Sequence, residues 1–400
     1  MDTFLELIET IRGDQADAAR VFAGEGTAIR LASRSHRDKD PRYLDRLALF
    51  AEVFANAATG GSWRDVYALK EAMSTSDFPL LFGDIIDRGM LGKYREWTPT
   101  WPAIAGVRTV RDFRNVKDFD ITGGETPLGL VEEGEPYPER KLDEAKAEWA
   151  VKKYGAMMPF LWEAFINDDF QALADVPERF ARAARRTEER FVTDLWIDAN
   201  GPDAAVYTGG NKNIINIANG AATNNPALSI VGLQDGFTVL SRAVDSEGEP
   251  ILIEMVTLAV PPALQIVAEN ILNAIQIELV EVGGTANQKL IARNWMKSKL
   301  KLAVMPYIPN IAVTANGNTT WGLFADPASG RPALRVGRLR GHEEPQLFMK
   351  SPNAVRVGGG EVSPFDGDFE NDSIEYKIRD VLGGTVIDAK MTVASNGSGA

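Results

Sequence analysis

The sequence lacks cysteine altogether and contains two histidines among its 400 residues. Without cysteine, disulfide bonds and thiolate chemistry are excluded. The two histidines, His36 and His342, lie far apart in sequence, so we expect neither a histidine-rich metal site nor a Ser-His-Asp triad. The sequence also has no Gly-x-x-x-x-Gly-Lys phosphate loop and no metalloprotease or hydrolase motif. It therefore predicts no catalytic residues, no cofactor-binding residues and no metal ligands.

Positive charge is also scarce, because 43 lysines and arginines stand against 56 acidic residues and leave a net charge of −13. The net negative charge of such a chain does not favour strong binding to nucleic acid, although the protein can enclose nucleic acid without binding it tightly. No apolar run approaches the ~20 residues that a membrane-spanning helix needs. The acidic N-terminus lacks the basic region of a signal peptide, so we expect the protein to be cytoplasmic when made.

The balance of 44% hydrophobic and 25% charged residues is that of a globular chain, and its length suffices for two or three domains. Its clearest element is a long amphipathic helix that starts after the N-cap candidate Asp175, with Pro177 and Glu178 in the first turn. Apolar residues recur at spacings of three and four, namely Val176, Phe180, Ala183, Thr187, Phe191 and Leu195, flanked by Ala184, Val192 and Trp196. The opposite face is charged and includes Glu189. Asn200-Gly201-Pro202 should end the helix after about 25 residues, or roughly 35–40 Å.

From residue 107 the hydrophobic period changes to two. Residues 107–120 and 137–154 predict two extended, charged strands joined by turns rich in Gly and Glu. These strands lack the apolar face that a core of their own would need. The pattern fits either a solvated hairpin in a larger sheet or a hairpin that finds its partners in other subunits.

The remaining segments alternate between predicted helices and strands. Residues 228–245 predict a helix, and Pro261-Pro262 opens another. The apolar run 250–260 predicts a buried central strand. Further strands are predicted at residues 300–304, at residues 310–314, around Trp321, and on both sides of Gly383-Gly384.

Residues 1–76 contain three short amphipathic segments separated by breaks. The strongest follows Asp40-Pro41 and carries Leu44, Leu47, Phe50 and Phe54. Each segment has an apolar face that needs a partner. They fit either a small helical domain or an N-terminal arm that lies along a neighbouring subunit.

Several of these features, in this order, resemble the major capsid proteins of tailed bacteriophages, which have the HK97-like fold, and most closely the Mu-like head subunits. The resemblance rests on Phe165-Ile166-Asn167-Asp168-Asp169, Asp175-Val176-Pro177, the strand-Pro261-Pro262-Ala263-Leu264-helix step, Asn318-Thr319-Thr320-Trp321 with Asp326-Pro327, and residues 339–345. It covers roughly residues 105–400, whereas residues 1–104 match by position and helical character.

The resemblance implies an α+β fold in five parts. These are an N-terminal helical arm (1–104), an extended β-hairpin loop (105–159), the spine helix with the first part of the peripheral domain (160–227), an axial domain (228–338) and the C-terminal return strands of the peripheral domain (339–400). It implies a non-enzymatic major capsid protein that assembles, as pentamers and hexamers, into an icosahedral shell around double-stranded DNA. Such a protein is part of the virion after assembly in the host bacterial cytoplasm.

Portal and scaffolding proteins are the implied partners, and neither a cofactor nor a membrane is implied. A disposable scaffold is more often a charged coiled coil than an apolar stripe. We therefore expect the N-terminal segment to be retained in the shell. Some capsid proteins of this family form a Lys–Asn crosslink, for which Lys117 is the best-placed lysine.

Two other interpretations stay open. One is an encapsulin-type nanocompartment shell, although such chains are typically much shorter and lack a long N-terminal arm. The other is a hydrolase or transferase with a site built from Asp and Glu. Asp366, Asp368, Glu370 and Asp372 alternate like half of a calcium loop, but Asn371 and Lys377 stand where that loop needs Gly and Glu, which favours an acidic turn. His342 is expected in a turn.

Overall fold

The computed structural model describes residues 41–58, 78–122, 143–161, 176–244, 248–251, 253, 255–274, 276–280, 289–329, 331–350, 353, 357 and 368–399. The chain divides into two compact units. The first unit comprises Met1–Thr98, Lys153–Arg185 and Glu344–Asp380, and the second comprises Pro99–Lys152, Arg186–Glu343 and Val381–Ala400. Both mix helices with strands, which confirms the α+β class. Among the described residues, no helix is both long and apolar enough to span a membrane.

The helices are α1 (Pro41–Ala58), α2 (Phe78–Glu96), α3 (Val176–Asp194), α4 (Ile230–Ser241), α5 (Gln265–Asn273), α6 (Met296–Lys299) and α7 (Ile308–Ile311). The strands are β1 (Ala105–Val110), β2 (Val116–Thr122), β3 (Asp143–Trp149), β4 (Val151–Leu161), β5 (Ile197–Asp198), β6 (Gly201–Pro202), β7 (Val256–Val260), β8 (Gln276–Val280), β9 (Lys289–Arg293), β10 (Leu300–Val304), β11 (Trp321–Ala325), β12 (Leu334–Leu339), β13 (Gln346–Met349), β14 (Ser373–Val386) and β15 (Thr392–Ser395).

The first unit contains the packed helices α1 and α2. Leu47 and Phe50 of the predicted stripe are buried in α1, and α2 contributes Ile85, Met90 and Tyr94 to the core. In the same unit β13 pairs antiparallel with the start of β14. The other two predicted N-terminal amphipathic segments, in residues 4–11 and 62–69, lie outside the described residues. The side chains of Leu44 and Phe54, which belong to the stripe of α1, are also outside the described part.

Among its described residues, the second unit contains strands of two larger sheets, besides the two-stranded sheets β2–β3, β5–β6 and β8–β9. In one, β12 pairs in parallel with β1 and antiparallel with the end of β14. The other has the order β10-β7-β11-β15, and its central strands are fully buried because both faces lie in the core. Trp321 is fully buried there, and its indole Nε1 donates to the carbonyl of Pro226 at 3.0 Å. The predicted strands at residues 250–260, 300–304 and around 321, and the predicted helix within 228–245, are thus confirmed in position, the first as a shorter strand.

The prediction of one strand over 107–120 and another over 137–154 is wrong in its boundaries. The first is broken at residues 111–115 into β1 and β2, and the second is divided at Ala150 into β3 and β4. The division occurs because the chain changes partner: β3 pairs with β2, whereas β4 pairs with β14.

The predicted end of the long helix at Asn200-Gly201-Pro202 is also wrong. Helix α3 ends at Asp194, after 19 residues, and Trp196 is fully buried just beyond it. The Trp196 carbonyl accepts from the N–H of Asp203 at 2.9 Å, so β5 and β6 form a small antiparallel hairpin instead. Gly201 has φ +123° there, a conformation that strongly favours glycine.

Two further strand predictions are wrong. Residues 308–311 form the short helix α7 rather than a strand, with Ile308 buried. Gly383 and Gly384 do not separate two strands but lie inside β14. A Cβ at Gly383 would overlap the carbonyl of Ala150, so glycine serves close packing here rather than a turn.

Candidate functional site

The base of the β2–β3 hairpin is the candidate functional site of the second unit. The two strands pair in register from Val116 opposite Trp149 to Thr122 opposite Asp143. Within the part of the chain that the structure describes, this hairpin forms a two-stranded sheet that adds no third strand. A two-stranded hairpin is marginally stable by itself, so its position depends on how its base is held.

A buried carboxylate, Asp118, holds the base. Its Oδ2 accepts a hydrogen bond from the Trp149 indole Nε1 at 2.8 Å. Its Oδ1 contacts the guanidinium groups of Arg108 on β1 and Arg335 on β12, the latter at 3.1 Å. Asp118 is 3% exposed, and a buried carboxylate is tolerated when it is both paired and hydrogen-bonded. Four side chains from four strands thus converge on one point.

Two glycines on neighbouring strands make room for this arrangement. Gly337 on β12 lies opposite Gly383 on β14. A Cβ at Gly337 would overlap the ring of Trp149, and one at Gly383 would overlap the backbone of Ala150. The indole therefore lies directly on the sheet backbone. Around it Val110, Val151, Leu339 and Val381 complete a buried apolar cluster.

The second half of α3 carries a second buried ion pair. Glu188 is fully buried, and its Oε1 pairs with Arg338 Nη2 at 2.8 Å. Its Oε2 accepts from the Trp101 indole Nε1 at 3.2 Å. Arg338 lies one residue after Gly337 on β12, so the ion pair fixes the helix to the strand beneath the hairpin base.

The adjacent Glu189 binds the segment that leads into β1. Its two carboxylate oxygens accept from the backbone N–H and the hydroxyl of Thr100, the latter at 2.8 Å. Burial raises the pKa of Glu189, and the charge of Glu188 raises it further, against the lowering effect of the bonds from Thr100 and Trp101. Two neighbouring glutamates on one helix thus have different roles, one as an ion-pair partner and one as a hydrogen-bond acceptor.

These contacts give the site a mechanical rather than a chemical character. Asp118 and Glu188 each have cationic and indole partners, and Glu189 accepts hydrogen bonds from Thr100. Among the described residues, no group of three or more His, Asp or Glu side chains is placed to hold a metal ion. The arrangement joins the entry segment, the hairpin base, the second half of α3 and β12 into one frame.

The residues that the sequence offered as candidates for a crosslink, a general base or a calcium ligand lie on separate elements of the fold. Lys117 is exposed on β2, next to Asp118. His342 lies in the turn after β12, where its backbone N–H bonds to Leu339. Asp368 caps a turn, because its Oδ1 accepts from the N–H groups of Asn371 and Ser373. These bonds lower the pKa of Asp368.

Sequence reasoning missed Asp118, Glu188 and Arg338, and it placed Glu189 on the solvent face, which is wrong. Periodicity assigns charged side chains to water, and the partners of these residues lie far away in sequence. The predicted apolar face is confirmed at Phe180 and at the flanking positions, whereas the rest of the described stripe is buried only in part. Ala184, Val192 and Trp196 are buried with the two glutamates, Thr187 and Phe191 are half-buried, and Ala183 is exposed.

Comparison with known proteins gives one family. A protein-family model described as phage capsid protein matches residues 144–395, more than half of the chain. The match includes Trp149, α3, β12 and both glycines of the hairpin base. No curated protein matches the chain.

Solved structures match at low identity. One from Gordonia phage Cozz is 13% identical, with 74% of this chain and 85% of that chain covered and a TM-score of 0.43. The capsid of an empty GTA particle is 14% identical, with 74% and 90% covered and a TM-score of 0.43. The SrpI encapsulin complex from Synechococcus elongatus PCC 7942 is 10% identical, with 76% and 89% covered and a TM-score of 0.44. The family assignment rests on the family model.

Proposed function

The chain belongs to the phage capsid protein family, and from that premise we propose how it builds a shell. It is a major capsid protein, a structural component of the virion that assembles with copies of itself. The finer proposal is that the β2–β3 hairpin is the element that binds the neighbouring subunit, and that the buried contacts at its base set the direction in which it projects.

The observation that carries this proposal is the contrast between the hairpin and its base. The base is buried and held by Asp118, Trp149 and the glycines beneath them. The strands beyond it pair with each other and with no other described strand. A hairpin with free edges gains stability by adding a strand or a surface from another chain. A rigid base lowers the entropic cost of that association.

We extend the proposal to the whole chain. Residues 1–104 form the N-terminal arm, 105–159 the extended loop, 160–227 the spine helix with the first part of the peripheral domain, 228–338 the axial domain, and 339–400 the return strands. The shell encloses double-stranded DNA without sequence-specific binding, and portal and scaffolding proteins act with it in the host cytoplasm. The net charge of −13 supports enclosure without tight binding.

The experiment is the solution size of the expressed full-length chain, measured by light scattering and negative-stain electron microscopy. We expect capsomers or closed shells, because obligate assemblies commonly bury more than ~2,000 Å² per interface. A small oligomer with hydrolase or transferase activity would contradict the proposal. Shells that enclose a protein cargo and exclude DNA would identify the nanocompartment alternative instead.

A further inference from the structure

A cavity of about 360 Å³ in the second unit is lined, among the residues that the structure describes, by three cationic side chains and no carboxylate. Lys212 follows the loop after Tyr207, Arg242 is the C-cap of α4, and Lys390 lies in the short helix before β15. Asn211 and Asn219 also line the cavity. Three cations in one cavity need an explanation in a chain whose net charge is −13.

Hydrogen bonds from side chains to backbone carbonyls link the segments that carry the cations. Asn213, 1% exposed, donates from Nδ2 to the Ala389 carbonyl at 2.9 Å, which fixes Lys212 beside Lys390. Lys390 Nζ in turn donates to the carbonyl of Val244 at 2.9 Å, two residues after Arg242. These two bonds therefore link the segments of Lys212 and Lys390 to each other and to the end of α4.

Two backbone conformations at the cavity are unusual. Lys212 has φ +54°, a left-handed conformation that is uncommon outside glycine and that clusters at functional sites. Gly220 has φ +99°, and a Cβ there would overlap the guanidinium of Arg242. The glycine thus leaves the space that the guanidinium occupies.

Two of the three cations have no anionic partner among the residues that the structure describes. Within the described residues, neither Lys212 nor Arg242 forms an ion pair, and both side chains are exposed. The one hydrogen bond of the guanidinium goes to the Asn219 carbonyl at a long 3.4 Å. An Arg fork, lysine ammonium groups and Asn amides are the donors that phosphate oxygens accept from.

We propose that this cavity binds a phosphate group. The phosphate comes either from the backbone of the enclosed DNA or from free inorganic phosphate, since both present the same oxygens. A local site of this kind is compatible with the acidic chain as a whole, because it acts on a single phosphate and not through the mean field. The inference is independent of shell assembly, so its failure would leave the capsid assignment intact.

The test measures binding of two probes to the purified full-length chain: inorganic phosphate by calorimetry and a short DNA duplex by fluorescence anisotropy. The pocket variant is Lys212→Gln with Arg242→Gln. The control is Lys297→Gln with Lys299→Gln, which removes the same charge from two exposed positions of α6. A third variant, Gly220→Ala, displaces the guanidinium without changing the charge. Thermal melts confirm that each variant is folded.

We expect the pocket variant to lower affinity at least about tenfold, since each lost bond to a charged group weakens binding by about that factor. Gly220→Ala should lower affinity as well, and the control should not. For DNA, the slope of log affinity against log salt should fall by about one, because the variant loses the contact with one phosphate. Binding of phosphate without binding of DNA would identify the free ion as the ligand. The inference is overturned if neither probe binds, or if pocket and control variants lose affinity equally.

Discussion

Replacement of Gly337 by alanine tests the hairpin base with a single methyl group. The Cβ would overlap the ring of Trp149, which is 6% exposed and cannot move into solvent without leaving its cluster. Displacement of the ring would also break the 2.8 Å bond from its Nε1 to Asp118. The substitution therefore combines overpacking with the loss of a bond to a buried carboxylate.

The magnitude follows from these two costs. Overpacking of a tight core costs about 1–3 kcal/mol, and a hydrogen bond to a charged group contributes about 1.5–3 kcal/mol. Against them stands the gain of about 0.5–1 kcal/mol that alanine brings over glycine in a strand. The net loss in the free energy of unfolding should be about 2–5 kcal/mol, or at least about 4 °C in Tm for a unit of this size.

The assay is urea unfolding of the unassembled chain, followed by tryptophan fluorescence and circular dichroism. Gly92→Ala is the matched control, because nothing lies within 4 Å of its added Cβ in helix α2. It should raise stability by about 0.5–1 kcal/mol. In the double variant Gly337→Ala with Trp149→Leu, the smaller leucine side chain should remove part of the clash. The loss in the free energy of unfolding should therefore be smaller than the sum of the losses in the two single variants. If Gly337→Ala is as stable as Gly92→Ala, the indole does not lie on the sheet as described.

Three further predictions concern the long helix and its ion pair with β12. Arg338→Ala should lower the free energy of unfolding by about 3–5 kcal/mol, because it leaves the carboxylate of Glu188 buried without its cation. The control Arg186→Ala, at an exposed position, should change it by less than about 0.5 kcal/mol. Equal denaturation midpoints of the two variants would rule out the buried ion pair. Glu188→Gln should also destabilise the protein, but Glu189→Gln should not do so at pH 7. Because the pKa of Glu189 is raised by folding, the free energy of unfolding should fall as pH rises from about 4.5 through that pKa, and Glu189→Gln should remove this fall. If the variant and the wild type show the same pH dependence of stability, this reasoning is contradicted. Phe180→Asp should unfold the first unit, since Phe180 is 2% exposed and an unpaired buried carboxylate costs several kcal/mol; a wild-type melting curve would place Phe180 in solvent.

Local signals in the sequence were sufficient to predict the start of the long helix. Asp175, Pro177 and Glu178 predict its N-terminus within a residue, and Phe180 and Val192 are buried as the apolar period requires. Its end was not predictable in the same way, because Asn-Gly is a signal both for a helix end and for a tight hairpin. Whether this Asn-Gly pair ends a helix or forms a hairpin turn depends on the burial of Trp196, which is a tertiary effect.

The hairpin base could not be predicted, for a related reason. Asp118 lies among other charged residues of a strand with alternating charges, and its partner Arg335 is more than 200 positions away. Glu188 and Arg338 are similarly remote. The paired glycines 383 and 384 were visible, but glycine in a strand marks either a turn or a close approach of another backbone, and the sequence does not distinguish these.

The central claim is that the hairpin binds a neighbouring subunit while its base belongs to the fold. Because Thr122 lies opposite Asp143, residues 123–142 can be replaced by an Asn-Gly turn that closes the two strands without disturbing Asp118 or Trp149. Electron microscopy and thermal melts of this variant, beside the full-length chain, are the direct measurement. We expect this variant to be folded, with an unchanged melting temperature before assembly, and unable to close shells. Normal shells from the truncated chain would contradict it.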